Sequence, residues 1–405
     1  MKKELFQLIE YAKTDLFGLS DYIYQHPETA FCEFQSCKAM VDFLKKFGFD
    51  IEERAGGLET AFTASVCPTG EKFPCIDILA EYDALGLGES YGEDLGIAHA
   101  CGHNLIAAVA AGTGIGLCQI MKKHKIPGTL RVVGTPAEEA GGGKIILQEK
   151  GIFEQTDALL MIHPTSGTSK IAGRCRCSTS LRVTYTGYAA HAGNHRQRGI
   201  NAQDAANICY TSIGCLRHQL PDEVQVFVTM TGTYKEQMLI PDKANLQIAI
   251  RCFAESNLES TKEKVKGCIK AGALATGCKV EIEEKRGYLG RICNYTLERV
   301  LRKNVEELEE PLMLGMVDDN GGEDFGNLNR KTPGIMFYPT LLPERKISNH
   351  TLAFYELCNS DKSREVILLG SRALAYTALD LYMDPSIIEE AKKELEEMLQ
   401  KESGE

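Results

Sequence analysis

Two residues with metal-binding side chains, Cys101 and His103, lie one glycine apart in the segment HACGH at 99–103. A thiolate and a neutral imidazole are both side-chain groups that bind zinc. Such a pair is more often structural than functional when it stands alone, because two ligands do not complete a site. The pair is therefore a hypothesis whose strength depends on further ligands elsewhere in the chain.

Further candidate ligands come directly after short apolar segments. Such segments are expected as buried strands at 73–79, 129–134 and 158–162. In open α/β sheets, ligand-binding sites form beyond the carboxyl ends of the strands. A long apolar helix, expected at 104–124, starts beside the Cys-x-His pair. The residues that follow these strands are Asp83, Glu138, Glu139 and His163. Together with the pair they provide thiolate, imidazole and carboxylate, which is a transition-metal ligand set.

The adjacent glutamates Glu138 and Glu139 are the most informative of these residues. A Glu-Glu pair is usually a solvated surface feature, but this one follows a buried strand and Pro136 and precedes three glycines. Neighbouring carboxylates repel one another unless a positive charge holds them together. A metal ion can bind one carboxylate and leave the other as a general base for water.

The elements that must position these residues form two patterns. Helices at 4–17 and 34–47, followed by strands that alternate with helices, predict an α/β fold with a mainly parallel central sheet flanked by helices. Later the order changes to β-α-β-β-α-β, which is the ferredoxin-like arrangement. Its elements are expected at 181–185, 201–219, 224–232, 246–253, 258–275 and 279–284. The acidic tail at 385–405 is expected to be a solvated helix with a frayed end.

Composition narrows the functional classes. The chain has 405 residues, long enough for two domains, and a net charge of −11 without a long basic stripe, so we expect no nucleic-acid partner. No run of about 18 apolar residues lacks charged or turn-forming residues, so we expect no membrane span. The first 16 residues lack the apolar core of a signal peptide. The chain is therefore expected to be cytoplasmic, and its 15 scattered cysteines are expected to be mostly reduced and buried.

Several motifs, in the same order along the chain, resemble those of the M20 metallopeptidase family. The resemblance is greatest to its amidohydrolase branch, which holds amino-acid-conjugate hydrolases, aminobenzoyl-glutamate hydrolases and aminoacylase-like dipeptidases. The motifs nearest the candidate ligands are AEYDAL at 80–85, HACGHN at 99–104, TPAEE at 135–139 and MIHP at 161–164. Others are HPE at 26–28, GYAAHAG at 187–193, GINAQDAA at 199–206, GEDF at 322–325 and NHT at 349–351.

The resemblance implies a centre of two divalent metal ions, with Cys101 bridging both. Glu138 would be the general base, and Asp83 would orient a ligand from behind. Thiolate favours zinc, with manganese or cobalt as alternatives. The wider superfamily has a metal-binding histidine at the position of Glu81, which leaves that residue without an assigned role. The remaining metal ligands would be His103, Glu139, His163 and His350.

The resemblance and the element order together imply the domain plan. The catalytic metal-binding domain is expected at 1–176 and 290–405, and an inserted lid and dimerisation domain at 177–289. His191, at the start of the lid, would donate a hydrogen bond to the developing oxyanion in the active site of a partner subunit of a homodimer. Asn245, Arg251 and Arg196 are candidates for holding a substrate carboxylate.

The activity expected from the resemblance is hydrolysis of the amide bond in small N-acyl amino acids, amino-acid conjugates or dipeptides. The alternative is an inactive family member that serves as a metal-binding or ligand-binding protein or as a partner subunit; the intact Glu138 argues against it. A redox protein is disfavoured because no CxxC motif is present. The segment GGGK at 141–144 lacks the spacing and ending of a phosphate loop and is interpreted as tight packing beside the metal-binding loop.

Overall fold

The computed structural model describes residues 1–87, 96–232 and 238–403. The chain divides into two compact units. The larger unit comprises Met1–Arg174, Arg291–Asp319 and Glu323–Glu405, and the smaller comprises Cys175–Gly290 and Asn320–Gly322. The role of segment 177–289 as a lid that pairs subunits stays a prediction.

The strands of the larger unit alternate with helices, as expected. The strands of the described residues are β1 (Asp50–Glu53), β2 (Phe62–Val66), β3 (Cys75–Ala80), β4 (Leu85–Leu87), β5 (Gly96–Ala98), β6 (Thr129–Gly134), β7 (Ala158–Ile162), β8 (Ser169–Ala172), β9 (Cys177–Thr186), β10 (Gln225–Thr231), β11 (Lys243–Cys252), β12 (Lys279–Lys285), β13 (Leu312–Val317) and β14 (Gly334–Tyr338). The helices are α1 (Lys2–Tyr11), α2 (Lys13–Gln25), α3 (Phe34–Lys46), α4 (His103–His124), α5 (Gly143–Glu149), α6 (Ala202–Leu216), α7 (Glu255–Thr276), α8 (Tyr295–Glu307), α9 (Phe325–Asn329), α10 (Leu352–Leu357), α11 (Asp361–Met383) and α12 (Ser386–Ser403).

Eight strands form the sheet of the larger unit, in the order β1-β2-β6-β3-β7-β14-β8-β13. The pairings β6–β3, β3–β7, β7–β14 and β8–β13 are parallel, whereas β1–β2, β2–β6 and β14–β8 are antiparallel. The central strands β3 and β7 are buried along their whole length, as expected for strands with helices on both faces. The α/β fold class is confirmed, and the carboxyl ends of β3, β6 and β7 lie at one edge.

Two helices, α4 and α11, are long and apolar enough by length and composition to cross a membrane. The expectation from uninterrupted apolar runs did not single them out, because turn-forming residues occur within both. In the structure, 94% of the apolar window of α4 and 72% of that of α11 are buried. Both helices therefore lie in the environment of core helices, and α4 carries His103 at its first position.

The tail helix α12 differs from the expectation of a solvated helix. Its apolar residues Ile388, Ala391 and Leu395 are buried. The Glu394 carboxylate accepts hydrogen bonds from the backbone N–H groups of Tyr295 and Thr296 at the start of α8. The charge-rich sequence of the tail hid one apolar stripe at helical spacing, and its residues Ile388 and Ala391 pack in the core of the larger unit.

The smaller unit contains β9, α6, β10, β11, α7 and β12 in chain order, which is the β-α-β-β-α-β arrangement. Its four strands form an antiparallel sheet in the order β10-β11-β9-β12. Alternate residues of β11, Leu246, Ile248 and Ile250, are buried against the helices. The residues at odd positions from Asn245 to Arg251 therefore lie on the opposite face of the sheet.

Candidate metal centre

Glycine between Cys101 and His103 lets the HACGH segment approach the end of β7. Gly102 adopts a left-handed conformation, with φ 81°, just before α4. A Cβ atom at this position would lie 2.5 Å from Cγ of Pro164. Because Pro164 follows His163, the glycine brings the Cys-x-His pair and the histidine at the end of β7 together.

Cys101 belongs to two groups of potential metal ligands. It forms one group with His103 and His163 and another with Glu139 and His350, and in each group the ligand atoms lie within 4.8 Å of one another. The Cys101 Sγ atom is 3.3 Å from His163 Nε2, and His350 Nε2 is 3.3 Å from Glu139 Oε1. The structure therefore brings all five expected ligands together, with the thiol shared by both groups.

The Asp83 carboxylate holds two of these ligands from behind. Its Oδ1 lies 3.0 Å from His103 Nδ1, and its Oδ2 accepts a hydrogen bond of 2.9 Å from the Glu139 backbone N–H. On the other histidine, His163, Nδ1 lies 2.9 Å from the carbonyl oxygen of Pro164. Both contacts favour a proton on Nδ1, which leaves each Nε2 with a lone pair directed into the cluster.

Three buried polar atoms of the described residues face this cluster without a hydrogen-bond partner. They are Glu81 Oε2, His103 Nε2 and Glu139 Oε1. His103 Nε2 is 3.4 Å from the glutamate oxygen of Glu81 and 3.8 Å from that of Glu139. A buried acceptor without a donor is costly, and a cation would satisfy all three atoms at once. The donor set and these atoms thus fit divalent metal ions.

The charges of the cluster lead to the same conclusion. Burial by itself raises the pKa of the Cys101 thiol, but the neighbouring imidazoles of His163 and His103 bring it well below its usual range. Burial favours a neutral His103 ring, yet the carboxylates of Asp83 and Glu81 raise its pKa well above the usual value. A thiolate among imidazoles that attract protons is an arrangement in which a metal ion can replace those protons.

The general-base candidate Glu138 lies in a group with His103 and Glu139. Burial, reinforced by the carboxylates of Glu81 and Glu139, raises the pKa of Glu138 well above its ordinary value. Burial and the Cys101 thiolate raise the pKa of Glu139 as well. The two glutamates differ in their contacts. Glu139 Oε1 contacts His350 and faces His103. Among the described residues, Glu138 belongs only to the group that it forms with His103 and Glu139.

Lys144 is the site residue that the sequence analysis missed. It is fully buried at the start of α5, and its Nζ donates to Glu81 Oε1 at 2.5 Å and to Asp324 Oδ1 at 2.6 Å. Burial lowers the pKa of Lys144, but Asp324 and Glu81 outweigh this and raise it well above its usual value. The lysine is therefore an ammonium ion that neutralises carboxylates beside the cluster, and Glu81 acquires a role as its partner.

The interpretation of GGGK as tight packing was correct but incomplete. A Cβ atom on Gly143 would lie 1.8 Å from the carbonyl oxygen of Pro136, so this glycine lets α5 begin against the metal-binding loop. The same turn directs the following lysine inward. A lysine at the start of a helix after a buried strand, together with an unassigned acidic residue at 81, was the available signal.

The candidate residues of the smaller unit are more exposed. His191 is exposed, and its Nδ1 accepts hydrogen bonds from the backbone N–H groups of Gly193 and Asn194 at 3.2 and 3.1 Å. The proton is therefore on Nε2, which makes that nitrogen a donor towards solvent. Arg196 is exposed in a short 3-10 helix that follows.

Asn245 and Arg251 lie on the same face of the smaller sheet but six residues apart along β11. At about 3.3 Å per residue this separation is roughly 20 Å. Asn245 lies near the start of β11, and its Oδ1 accepts a hydrogen bond of 3.0 Å from the Thr184 hydroxyl. Residues 238–242 precede this strand. Leu239 within that segment pairs with His191. One small carboxylate cannot contact both Asn245 and Arg251.

Comparisons with known proteins show the family and the fold of this chain. The profile of peptidase family M20/M25/M40 matches residues 78–396. The Xaa-Arg dipeptidase of Mus musculus is 32% identical over 99% of this chain and 94% of its own length. The Xaa-Arg dipeptidase of Homo sapiens is 30% identical over 98% of this chain and 92% of its own length. The fold is shared with a dinuclear metal-binding peptidase of the M20 family from Bacillus subtilis, with a TM-score of 0.70, 20% identity and coverage of 92% and 99%.

Proposed function

Because the chain belongs to peptidase family M20/M25/M40, it is a metal-dependent hydrolase, and we propose that it cleaves the amide bond of small dipeptides or N-acyl amino acids. The observation that carries this proposal is the thiol of Cys101, which is shared by two groups of ligands beside the Glu138 carboxylate. This arrangement contains what metal-dependent amide hydrolysis needs, namely residues that can bind cations and a carboxylate that can act as a base. The similarity to Xaa-Arg dipeptidases supports a dipeptide substrate over longer peptides.

The residues divide the chemical work. Divalent ions in the cluster would supply Lewis acidity towards water and towards the amide carbonyl. Glu138 takes a proton from the attacking water and delivers it to the leaving amine. Asp83 keeps the His103 ring and the Glu139 backbone in place during this transfer. The intact base and ligand set argue against the inactive alternative.

We place substrate recognition on the smaller unit. The Nε2–H of His191 is the donor proposed for the developing oxyanion, supported by the two backbone N–H groups that hold its Nδ1. Asn245 and Arg196 are the proposed contacts of the substrate carboxylate. Arg251 is the weaker candidate because of its distance from Asn245 along the strand.

The identity of the metal and the assembly are proposals of finer detail. We propose two zinc ions per chain because a thiolate ligand favours zinc over manganese, with manganese or cobalt as functional replacements. We propose a homodimer formed by the smaller unit, which presents β10 and β12 at the edges of its sheet. The cysteines of the chain are thiols, which supports a reducing compartment such as the cytoplasm.

Metal analysis combined with a substrate panel tests the proposed function. The protein, purified without chelators, is expected to hold two divalent ions per chain, measured by inductively coupled plasma mass spectrometry. The panel contains dipeptides ending in Arg or Lys, N-acetyl amino acids and aminobenzoyl-glutamate, with release of free amino acid as the readout. Release of amino acid that disappears on chelation and returns with zinc, manganese or cobalt is the expected result.

A matched cysteine pair provides the control. Cys101→Ser should lose metal and activity. Cys118 lies within α4, where its thiol donates a hydrogen bond to the Phe47 carbonyl oxygen, so Cys118→Ser should keep both. A metal content below one ion per chain, together with no hydrolysis after zinc, manganese or cobalt is added, would contradict the proposal. Tight metal binding without hydrolysis of any panel member would instead favour the inactive alternative.

A further inference from the structure

The loop that carries Glu138 begins with a residue in an unusual backbone conformation. Ala137 has φ 61°, in the left-handed region that residues with a Cβ atom rarely adopt. Its carbonyl oxygen accepts hydrogen bonds from the N–H groups of Gly141 and Gly142 at 3.0 and 2.8 Å. Ala137 is thus the closing point of the turn that presents the general base. Such a conformation persists only when neighbouring groups hold it.

A second residue with the same rare conformation lies against this turn. Phe31, in the loop before α3, has φ 63°. A Cβ atom on Gly141 would lie 2.3 Å from the Phe31 ring, so the ring packs directly on the glycine of the catalytic turn. Two strained loops, one from the start of the chain and one after β6, therefore share one contact.

One buried carboxylate joins these two loops. Glu33 is fully buried, and its Oε1 accepts the backbone N–H of Phe31 at 3.0 Å and that of Ala137 at 2.8 Å. Its Oε2 accepts the hydroxyl of Thr60 at 2.8 Å. Burial raises the pKa of Glu33 to about 7, so above this pH the N–H groups bind a carboxylate, and such hydrogen bonds are about twice as strong as neutral ones. Glu33 therefore stabilises the left-handed conformation on both sides of the contact.

We propose that Glu33 is a positioning residue for the general base: its carboxylate clamps Ala137 and thereby aims Glu138 at the reacting water. The proposal rests on the base role proposed for Glu138. A division of labour follows, because the N–H on the other side of the base, that of Glu139, is held by Asp83. Asp83 serves the metal-binding half of the Glu-Glu pair, and Glu33 serves the catalytic half.

The test compares two substitutions of Glu33, one that removes its hydrogen-bond acceptor oxygens and one that keeps an acceptor. Glu33→Leu removes both acceptor oxygens at similar volume, and Glu33→Gln keeps one carbonyl oxygen for the two N–H groups. Because a left-handed alanine is disfavoured once unsupported, kcat of Glu33→Leu should fall roughly 5- to 30-fold, with KM and metal content unchanged. Glu33→Gln should stay within about threefold of the wild-type kcat, since a neutral acceptor weakens but does not remove the bonds.

A second substitution separates positioning from general damage. Glycine adopts positive φ without strain, so Ala137→Gly added to Glu33→Leu should recover a large part of the lost kcat. Thr60→Val, which removes only the donor to Oε2, should leave the Ala137 turn in place. Loss of metal in Glu33→Leu, or the absence of any rescue by Ala137→Gly, would overturn the proposal.

Hydrogen exchange gives a readout that needs no substrate. Exchange measured by mass spectrometry on fragments covering 29–33 and 135–142 should accelerate in Glu33→Leu at the amides of Phe31 and Ala137, but not at Glu139. If Glu33→Leu does not fold, a smaller acceleration in Glu33→Gln at the same two amides carries the test. Unchanged amide exchange at Phe31 and Ala137 in the Glu33 variants would refute the clamp. If exchange accelerates as expected but the wild-type protein hydrolyses no substrate, only the proposed hydrolytic function would be refuted.

Discussion

The metal centre in the larger unit and the substrate-binding candidates in the smaller unit are constructed differently. Around the metal centre, His103, Glu81 and Lys144 are buried, and each contacts a charged partner. In the smaller unit, His191 and Arg196 are exposed, and the His191 ring accepts hydrogen bonds from two backbone N–H groups. The first group of residues has its geometry determined by the fold, whereas the second presents donors to whatever molecule binds.

From this difference we expect single substitutions to be more severe in the metal centre than in the smaller unit. A buried charge without its partner is costly, so each residue of the metal centre depends on the others. An exposed side chain remains hydrated when a neighbour is removed, so changes in the smaller unit should affect binding and rate without unfolding the protein.

The largest effect is expected at Glu138, the proposed general base. Glu138→Gln should lower kcat by about 10² to 10⁴, because it removes the proton acceptor while leaving a side chain of the same shape. Metal content should stay near that of the wild type. The neighbouring Glu139→Gln is the matched control and should lose metal, because Glu139 contacts His350 and faces His103. Equal metal loss in both variants, with the rate of Glu138→Gln preserved, would reverse the two assignments.

The second effect concerns stability. Lys144→Met should lower the free energy of unfolding by about 3–5 kcal/mol, because it leaves Glu81 and Asp324 buried without their cation. Denaturant unfolding measures this loss. The control Lys392→Met removes a partly exposed lysine that pairs with Asp157, and should cost about 1 kcal/mol or less. Equal losses for the two lysines would show that burial does not distinguish them.

The third effect tests recognition from the smaller unit. His191→Ala should slow turnover by about 10² to 10³, as expected when one oxyanion donor is removed, without a change in metal content or unfolding. Mixing inactive His191→Ala with inactive Glu138→Gln subunits tests whether the histidine acts across a homodimer. A mixed dimer would contain one intact site and recover up to half of the activity. Absence of recovery after proven subunit exchange would exclude action across subunits.

The smallest effect separates two residues of one strand. Asn245→Ala should raise KM for a dipeptide roughly tenfold, the effect of losing one hydrogen bond of about 1.4 kcal/mol, with kcat less affected. Arg251→Ala should change KM by less than about twofold, because Arg251 lies about 20 Å from Asn245 along β11. The reverse order of effects would place the carboxylate at the other end of the smaller sheet.

Much of the fold could be predicted because local patterns agreed with tertiary packing. The expected strands 129–134 and 158–162 coincide with β6 and β7. The continuous apolar run of β7 suits a strand that is buried on both faces. The tail was predicted less well, because its many charges concealed the stripe formed by Ile388, Ala391 and Leu395. Helix periodicity was present there, but which face would find a core depends on contacts with distant elements.

The order of residues along the chain specifies which chemical groups are available: a thiol, imidazoles and paired carboxylates, placed after strands whose carboxyl ends meet at one edge. How those groups are used depends on contacts that form when the chain folds. It made Cys101 common to two ligand groups, paired Lys144 with Glu81, and brought Glu33 to Ala137 across more than 100 positions of the chain. The physical reason is that side-chain types and local periodicity are encoded over a few residues. Buried charges, by contrast, are stabilised by partners that only folding brings within hydrogen-bonding distance.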